Sequence, residues 1–189
     1  MPIPKNAKRV FKGEIHDVYQ WRQKMFDGSY ATFEAIKRPD TVIIIATAGN
    51  KLVMQKQRQP GTGWFISNPS GRMDVPGEKP KEAALRELLE ETGMRPGRLF
   101  LWKKIKRNDK IQQTIHFFVA QDCHKVAAQN LDSGEKIKLF YLSLDDYLKL
   151  ADNPSAHLQE SVVDMLRARA DKNYKQYLQR TFFGTVSKK

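Results

Sequence analysis

Three carboxylates fall within five consecutive residues of this chain: Glu87, Glu90 and Glu91, inside the run GEKPKEAALRELLEETGM that begins at Gly77. On a helix they stand at i, i+3 and i+4 and share one face. Like charges this close repel, so the cluster costs stability unless something positive sits among them. Arg86 is four residues from both Glu82 and Glu90 and offsets part of the charge, but not the whole face. Hard oxygen donors at this density suit Mg²⁺, or alternatively Mn²⁺, ions that keep several waters and reach substrate phosphates. Such an ion would neutralise a diphosphate and orient or activate a water. Taken alone, the ELLEE string reads better as a solvated helix face braced by Glu–Arg pairs.

The elements that must hold this face follow from patterning. Pro80 suits a first helical turn, where its missing N–H costs nothing. Glu82 suits the positive end of the helix dipole. Ala84, Leu85, Leu88 and Leu89 form the apolar side, and Gly93 is placed to end the helix in a left-handed conformation. Upstream, residues 9–19 and 29–37 alternate loosely and are expected to be strands joined near Asp27-Gly28. The run TVIIIA (Thr41–Ala46) predicts a buried strand, Gly49-Asn50 a hairpin turn, and Leu52–Gln57 the returning strand. Residues 59–77 hold three prolines and four glycines and read as a long loop with one strand around Trp64–Ser67. Downstream, Leu99–Lys106 and Ile111–Gln121 read as a hairpin around Asn108-Asp109, and Lys136–Leu142 as a strand. Two helices close the chain, Leu144–Leu150 and a long, amphipathic, net basic one over about residues 156–178. No internal repeat or low-complexity segment interrupts this order.

The full spacing changes the weight of the acidic cluster. Glu78, Arg86, Glu87, Leu88, Glu90, Glu91, Gly93 and Met94 match a pattern of Gly, five residues, Glu, seven residues, then Arg-Glu-apolar-any-Glu-Glu-any-Gly-apolar. In this the chain resembles the Nudix hydrolase family. One position departs: the first glycine should fall at Arg72, and Gly71 stands one residue early. The stretch PSGRMDVPGE thus carries an extra residue or a shifted register, which bears on any metal contact from the backbone near Ser70–Gly71. The resemblance implies Glu87 and Glu91 as principal metal ligands, with Glu90 assisting. It implies Glu78 as a support or a ligand through water, and Arg86 as the cation that holds the carboxylates. The implied fold is α+β, a mixed β-sheet sandwiched between helices (α/β/α) with an N-terminal antiparallel strand segment. The implied reaction is attack of water on one phosphorus of a nucleoside diphosphate linked to some group X.

The flanks resemble the ADP-ribose pyrophosphatase and nucleoside-diphosphate-sugar hydrolase branch. Gln55, Arg58, Pro60, Trp64, Pro69 and Gly71 match its layout, with Ser70 where Ala is usual. Gln55 and Arg58 are then expected to bind substrate, Arg58 by clamping a phosphate, unless it is only a surface charge at a strand end. Residues 1–38 resemble strands that this branch often exchanges between subunits, so a homodimer is implied, with 39–189 as the Nudix domain. Phe33 stands where Arg is common and either stacks on the base or is core. Glu135 is the candidate late carboxylate, as catalytic base or extra ligand, or else a solvent-facing hairpin residue. Asp132 is a weaker candidate at the same place.

Composition sets outer bounds. The net charge of +12 attracts polyanions without naming one, and the excess is spread along the chain. It fits a plain basic surface, phosphate-rich substrates or nucleic acid. The run Lys103-Lys104-Ile105-Lys106-Arg107 suits RNA, or a hairpin edge that lysines keep from aggregating. No apolar run approaches the roughly 18–20 residues of a membrane span, and MPIPKNAKRV is no signal peptide, so the expected location is cytoplasmic with no membrane partner. Cys123 is the only cysteine, which excludes an intrachain disulfide and predicts a buried, inert thiol. His16, His116, His124 and His157 lack metal-ligand spacing and read as structural or surface residues. The expected activity is hydrolysis of ADP-ribose or a related nucleotide sugar. The alternatives are oxidised nucleotides, dinucleotides or capped RNA as substrate, or a non-catalytic nucleotide- or RNA-binding module.

Overall fold

The computed structural model describes residues 2–184, so Met1 and the last five residues of the span 39–189 lie outside it. Along the chain run β1 (Lys8–Lys12), β2 (Asp17–Lys24), β3 (Tyr30–Lys37), β4 (Thr41–Ala48), β5 (Lys51–Arg58), β6 (Phe65–Ser67) and β7 (Ser70–Arg72). Next come α1 (Pro80–Thr92), β8 (Met94–Arg95), β9 (Arg98–Asn108), β10 (Ile111–Gln121), β11 (His124–Lys125) and β12 (Lys136–Leu142). The chain closes with α2 (Leu144–Lys149), a 3₁₀ turn, α3 (Gln159–Ala170) and α4 (Lys172–Phe183).

The continuous apolar run of β4 is buried on both faces, as such runs must be. It lies parallel to β10, from Thr41 beside Ile115 to Ala46 beside Ala120. The main sheet has the order β1-β2-β3-β10-β4-β5-β12, with β6 on β5, β7 on β4 and β9 on β10. Helix α1 covers one face through Ala83, Ala84 and Leu88, packed on Val42, Ile44 and Phe118. Helices α2 to α4 cover the other through Tyr147, Met165, Leu178 and Phe182, packed on Ile45, Met54 and Phe117. This is the expected mixed sheet between helices. The N-terminal strands are continuous with it, because β3 pairs with β10 at Ile36–Ile111.

Several local expectations need correction. The stretch 9–19 is two strands, folded back where Gly13 N–H bonds His16 O at 3.0 Å. The loop 59–77 contains a second strand, β7, which joins β4 through Val42–Gly71. The long terminal helix is two, α3 and α4. At the break Asp171 is extended (φ −122°, ψ 110°) and its carboxylate accepts from the N–H groups of Asn173 and Tyr174. An aspartate that caps a new N-terminus in this way competes with helix continuation. In the basic run, Lys103 and Arg107 are tied to Asp164 and Glu160 of α3, while Lys104 and Lys106 on the other face of β9 are exposed. Cys123 is buried, and burial pushes its thiol up to about 12. No helix among the described residues is long and apolar enough to cross a membrane.

Candidate active site

Helix α1 aims its acids by rotation. Leu85 is exposed, contrary to the pattern reading, and the buried stripe runs through Ala84, Leu88 and Glu91 at i, i+4 and i+7. A carboxylate thus occupies a core position. Glu91 is only 4% exposed, and its Oε2 accepts from the Ser70 backbone N–H at 2.8 Å and from Gln55 Nε2 at 3.0 Å. Burial pushes its carboxyl well above the usual range, against these two hydrogen bonds, and the charges of Glu87 and Glu135 push the same way.

Gln55 is fully buried beneath the acids and spends its amide on Glu91. Its orientation is itself fixed. Gln57 Nε2 donates to Ser67 Oγ at 2.5 Å and to Gln55 Oε1 at 3.4 Å, while Ser67 Oγ donates to Gln55 Oε1 at 3.4 Å. Donors crowd the carbonyl end of Gln55, so its NH₂ end faces the acid. Gln57 and Ser67 are absent from the sequence-based site. The signal for Gln57 was present as two glutamines at period two, in phase with the apolar Val53 of the same strand.

Glu87 lies against the backbone of Gly71. A Cβ added at Gly71 would fall 1.9 Å from the Glu87 carboxyl carbon. Glu87 is thus seated on Gly71, and Asp74–Gly77, between that glycine and Glu78, are exposed. Burial raises the Glu87 carboxyl to about 7, partly opposed by Arg86.

Arg86 is the hub. Its Nε and Nη2 bind both oxygens of Glu78 at 2.8 and 3.0 Å, and Nη1 reaches Glu87 at 2.8 Å and Glu90 at 3.1 Å. Nη2 also donates to Arg72 O, which fastens the loop to the helix. Glu82 is no partner of Arg86; it caps α1 by accepting from Lys79 N–H at 2.9 Å.

These groups floor a cleft of about 700 Å³ whose lining includes Gln59 and Pro60 and, next to them, Asp132–Glu135. Glu135 lines it, raised by burial and then by Asp132. Its loop is anchored to α1 by Asn130 N–H on Glu90 O and by Gln129 Nε2 on Glu91 O. Arg58 is across the Gln59–Pro60 wall, in a neighbouring cavity with Lys136. Phe33 lines no part of this cleft; it packs near Trp21, with Lys110 Nζ 4.7 Å from its ring centre.

Among the described residues no three acidic, histidine or cysteine side chains already converge as a ligand set, since Arg86 draws Glu87 and Glu90 to itself. The donor chemistry nevertheless fits a hard divalent ion. Glu87 and Glu91 are carboxylates raised by burial, and the charges of Glu90 and Glu135 raise Glu87 further while those of Glu87 and Glu135 raise Glu91. A dication is the species that relieves such a set while leaving oxygen ligands open to phosphate.

A buried acidic helix face, a glycine pressed beneath it and an arginine hub under an open cleft define a pyrophosphohydrolase platform. Residues 37–161 match the NUDIX domain, and the chain belongs to that family, whose members generally use divalent metals. The chain is 29% identical over 150 residues to the ADP-ribose pyrophosphatase of Bacillus subtilis (strain 168), covering 77% of this chain and 80% of that one. It is 31% identical over 159 residues to the methanol dehydrogenase activator of Bacillus methanolicus, covering 82% and 83%. A crystal structure of an ADP compounds hydrolase superposes with a TM-score of 0.73 at 22% identity, over 89% of this chain and 92% of that one.

Proposed function

We propose that this Nudix enzyme hydrolyses the pyrophosphate of ADP-ribose or a related nucleotide sugar, with Mg²⁺ or Mn²⁺ held by Glu87 and Glu91 and assisted by Glu90. The observation that carries the reading is the buried Glu91, fixed by Gln55 and Ser70 beside a Glu87 seated on Gly71. The name of the Bacillus subtilis relative supports ADP-ribose as the first substrate to try.

When bound, the ion supplies neutralisation of the diphosphate and polarisation of a water. Glu135 accepts the proton of the attacking water at a carboxylate oxygen, a role that its raised pKa and its place in the cleft support. The new bond is water oxygen to phosphorus, and the bridging P–O bond breaks to leave a nucleoside monophosphate and a sugar phosphate. Arg86 keeps Glu87 and Glu90 in place, and Glu78 supports through Arg86. Arg58 meets the part of the substrate that passes the Gln59–Pro60 wall. A nucleotide panel assayed with each ion, with products identified, is the test. Release of AMP and ribose phosphate from ADP-ribose supports the reading; inertness towards every nucleotide sugar sinks it.

Residues 1–38 are proposed to join two chains, because β1 is exposed along its length and carries Val10 and Phe11 in the open. Phe33 of this segment is then placed for a base bound at the joint site. A sedimenting mass of one chain would rule the dimer out.

Two further outcomes follow from the geometry. Gln57→Leu removes the donor that orients Gln55, so Mg²⁺ half-saturation is expected to rise about tenfold, in the range seen when supports of metal ligands are lost. Unchanged Mg²⁺ affinity by calorimetry would show that Gln55 orients without it. Stability should also fall as pH rises. Glu87 binds its proton more tightly folded than unfolded, about 7 against 4.5, so stability present below the lower value is lost as pH climbs through the higher. That loss is roughly 3 kcal/mol from this group alone. Because Mg²⁺ takes the proton's place, its effect on Tm should be larger at about pH 8 than at about pH 5.5. Equal shifts at both would detach the ion from Glu87.

A further inference from the structure

Four cations form a two-by-two array at the uncovered end of the β5–β12 face whose other end, Leu52 and Met54, packs in the core with α2 to α4. Cross-strand register sets Arg58 opposite Lys136 and Lys56 opposite Lys138. All four are exposed, and among the described residues none makes an ion pair. Other cations are neutralised, as Lys103 is by Asp164 and Lys175 by Asp145. Like charges directly opposite one another on antiparallel strands are destabilising, so the array is a cost the isolated chain carries. Trp64, 38% exposed, stands beside it, with its ring centre 5.9 Å from Lys56 Nζ and 5.7 Å from Lys138 Nζ. Arg58 and Lys136 also line a cavity of about 240 Å³. Its other walls, Gln59, Pro60, Ser133 and Gly134, are shared with the catalytic cleft, so the cationic face begins where the cleft ends.

We propose that this array binds the backbone phosphates of a single-stranded nucleic acid. Neighbouring cations on it are set about 5 Å apart across the strands and about 7 Å apart along them. Successive phosphates of one strand can between them meet all four cations at that pitch, whereas a lone phosphate leaves part of the array unpaired. A cationic track with an aromatic side chain is the usual means of holding single strands. A stiff duplex meets a patch two strands wide along one edge and leaves half the array unpaired. The proposal goes beyond the pyrophosphatase reading and does not depend on it, since it concerns binding on a face away from the acids.

The test is fluorescence anisotropy of the full chain with a labelled oligouridylate of about 12 nucleotides and a matching duplex. Lys56→Ala/Lys138→Ala is expected to raise the single-strand Kd about tenfold and to flatten the log–log salt slope by about 1.4, roughly 0.7 per lost phosphate contact. Its melting temperature should hold or rise, because an opposed like-charge pair is removed, its hydrolysis of small nucleotides should stay as in the parent, and the duplex should bind more weakly than the single strand. An equal loss in Lys104→Ala/Lys106→Ala, on exposed β9 positions, would mean that general charge does the binding and would overturn the proposal. So would unchanged affinity, or displacement of the strand by polyglutamate as readily as by unlabelled RNA. If ADP-ribose is not hydrolysed but the strand binds as described, the array stands and the catalytic reading falls.

Discussion

Glu91→Gln lowers turnover at saturating Mg²⁺ by at least about a hundredfold, a loss of about 2.7 kcal/mol of transition-state stabilisation. The substitution preserves shape, and its amide oxygen can still accept from Ser70 N–H and Gln55 Nε2. What disappears is one negative charge at a position only 4% exposed. Burial makes that charge costly to the ion-free chain, so the variant should melt at the same temperature or higher at alkaline pH without Mg²⁺. Loss of activity with gain of stability is the signature of a charge kept for its ligand and not for the fold. A variant that turns over at near-parental rate would remove Glu91 from the ligand set. One that fails to fold would make it a structural residue.

Gly71→Ala comes second, with a fall in kcat of about a hundredfold at fixed Mg²⁺ and little change in Tm, the range expected when a reacting arrangement is displaced by about 1 Å. The added methyl would sit 1.9 Å from the Glu87 carboxyl carbon and 2.0 Å from one of its oxygens. Backbone strain plays no part, because Gly71 is not among the residues with positive φ. The obstacle is the end of a flexible side chain, so the fold yields cheaply by swinging Glu87 away. That swing is the damage, since it carries a ligand off its seat. Raising Mg²⁺ should recover part of the activity. Full activity at low Mg²⁺ would mean that Glu87 works from a different position.

The catalytic helix was legible because its chemistry is local: acids at i, i+3 and i+4 on a helix share a face wherever the helix lies. Its rotation was not legible. Leu85 is as apolar as Leu88, and only contact with β4 decides that Leu88 is buried and Leu85 exposed. The bond that Gln55 makes to Glu91 was hidden for a related reason. The resemblance of Gln55 to substrate-binding layouts is a statement about strand position, whereas its partner Glu91 lies 36 residues away and is found only by folding. The break at Asp171 was hidden because no proline or glycine marks it, while a single capping carboxylate ends one helix and starts the next. The offset between Gly71 and Arg72 could not be settled by counting. Folding seats Glu87 on Gly71, ahead of the bend at residues 75–77.

That bend has a use in engineering. Asp74, Val75, Pro76 and Gly77 are exposed at the lip, and Asp74 and Val75 border the cleft, while the carboxylates below are fixed from Arg86 and β5. The lip can therefore be varied at the Asp74 and Val75 side chains to admit bulkier leaving groups, with the Val75 carbonyl that holds the Glu78 N–H kept in place. The hydrolytic floor beneath would be left as it was, which makes this segment the first place to randomise in a search for altered substrate scope.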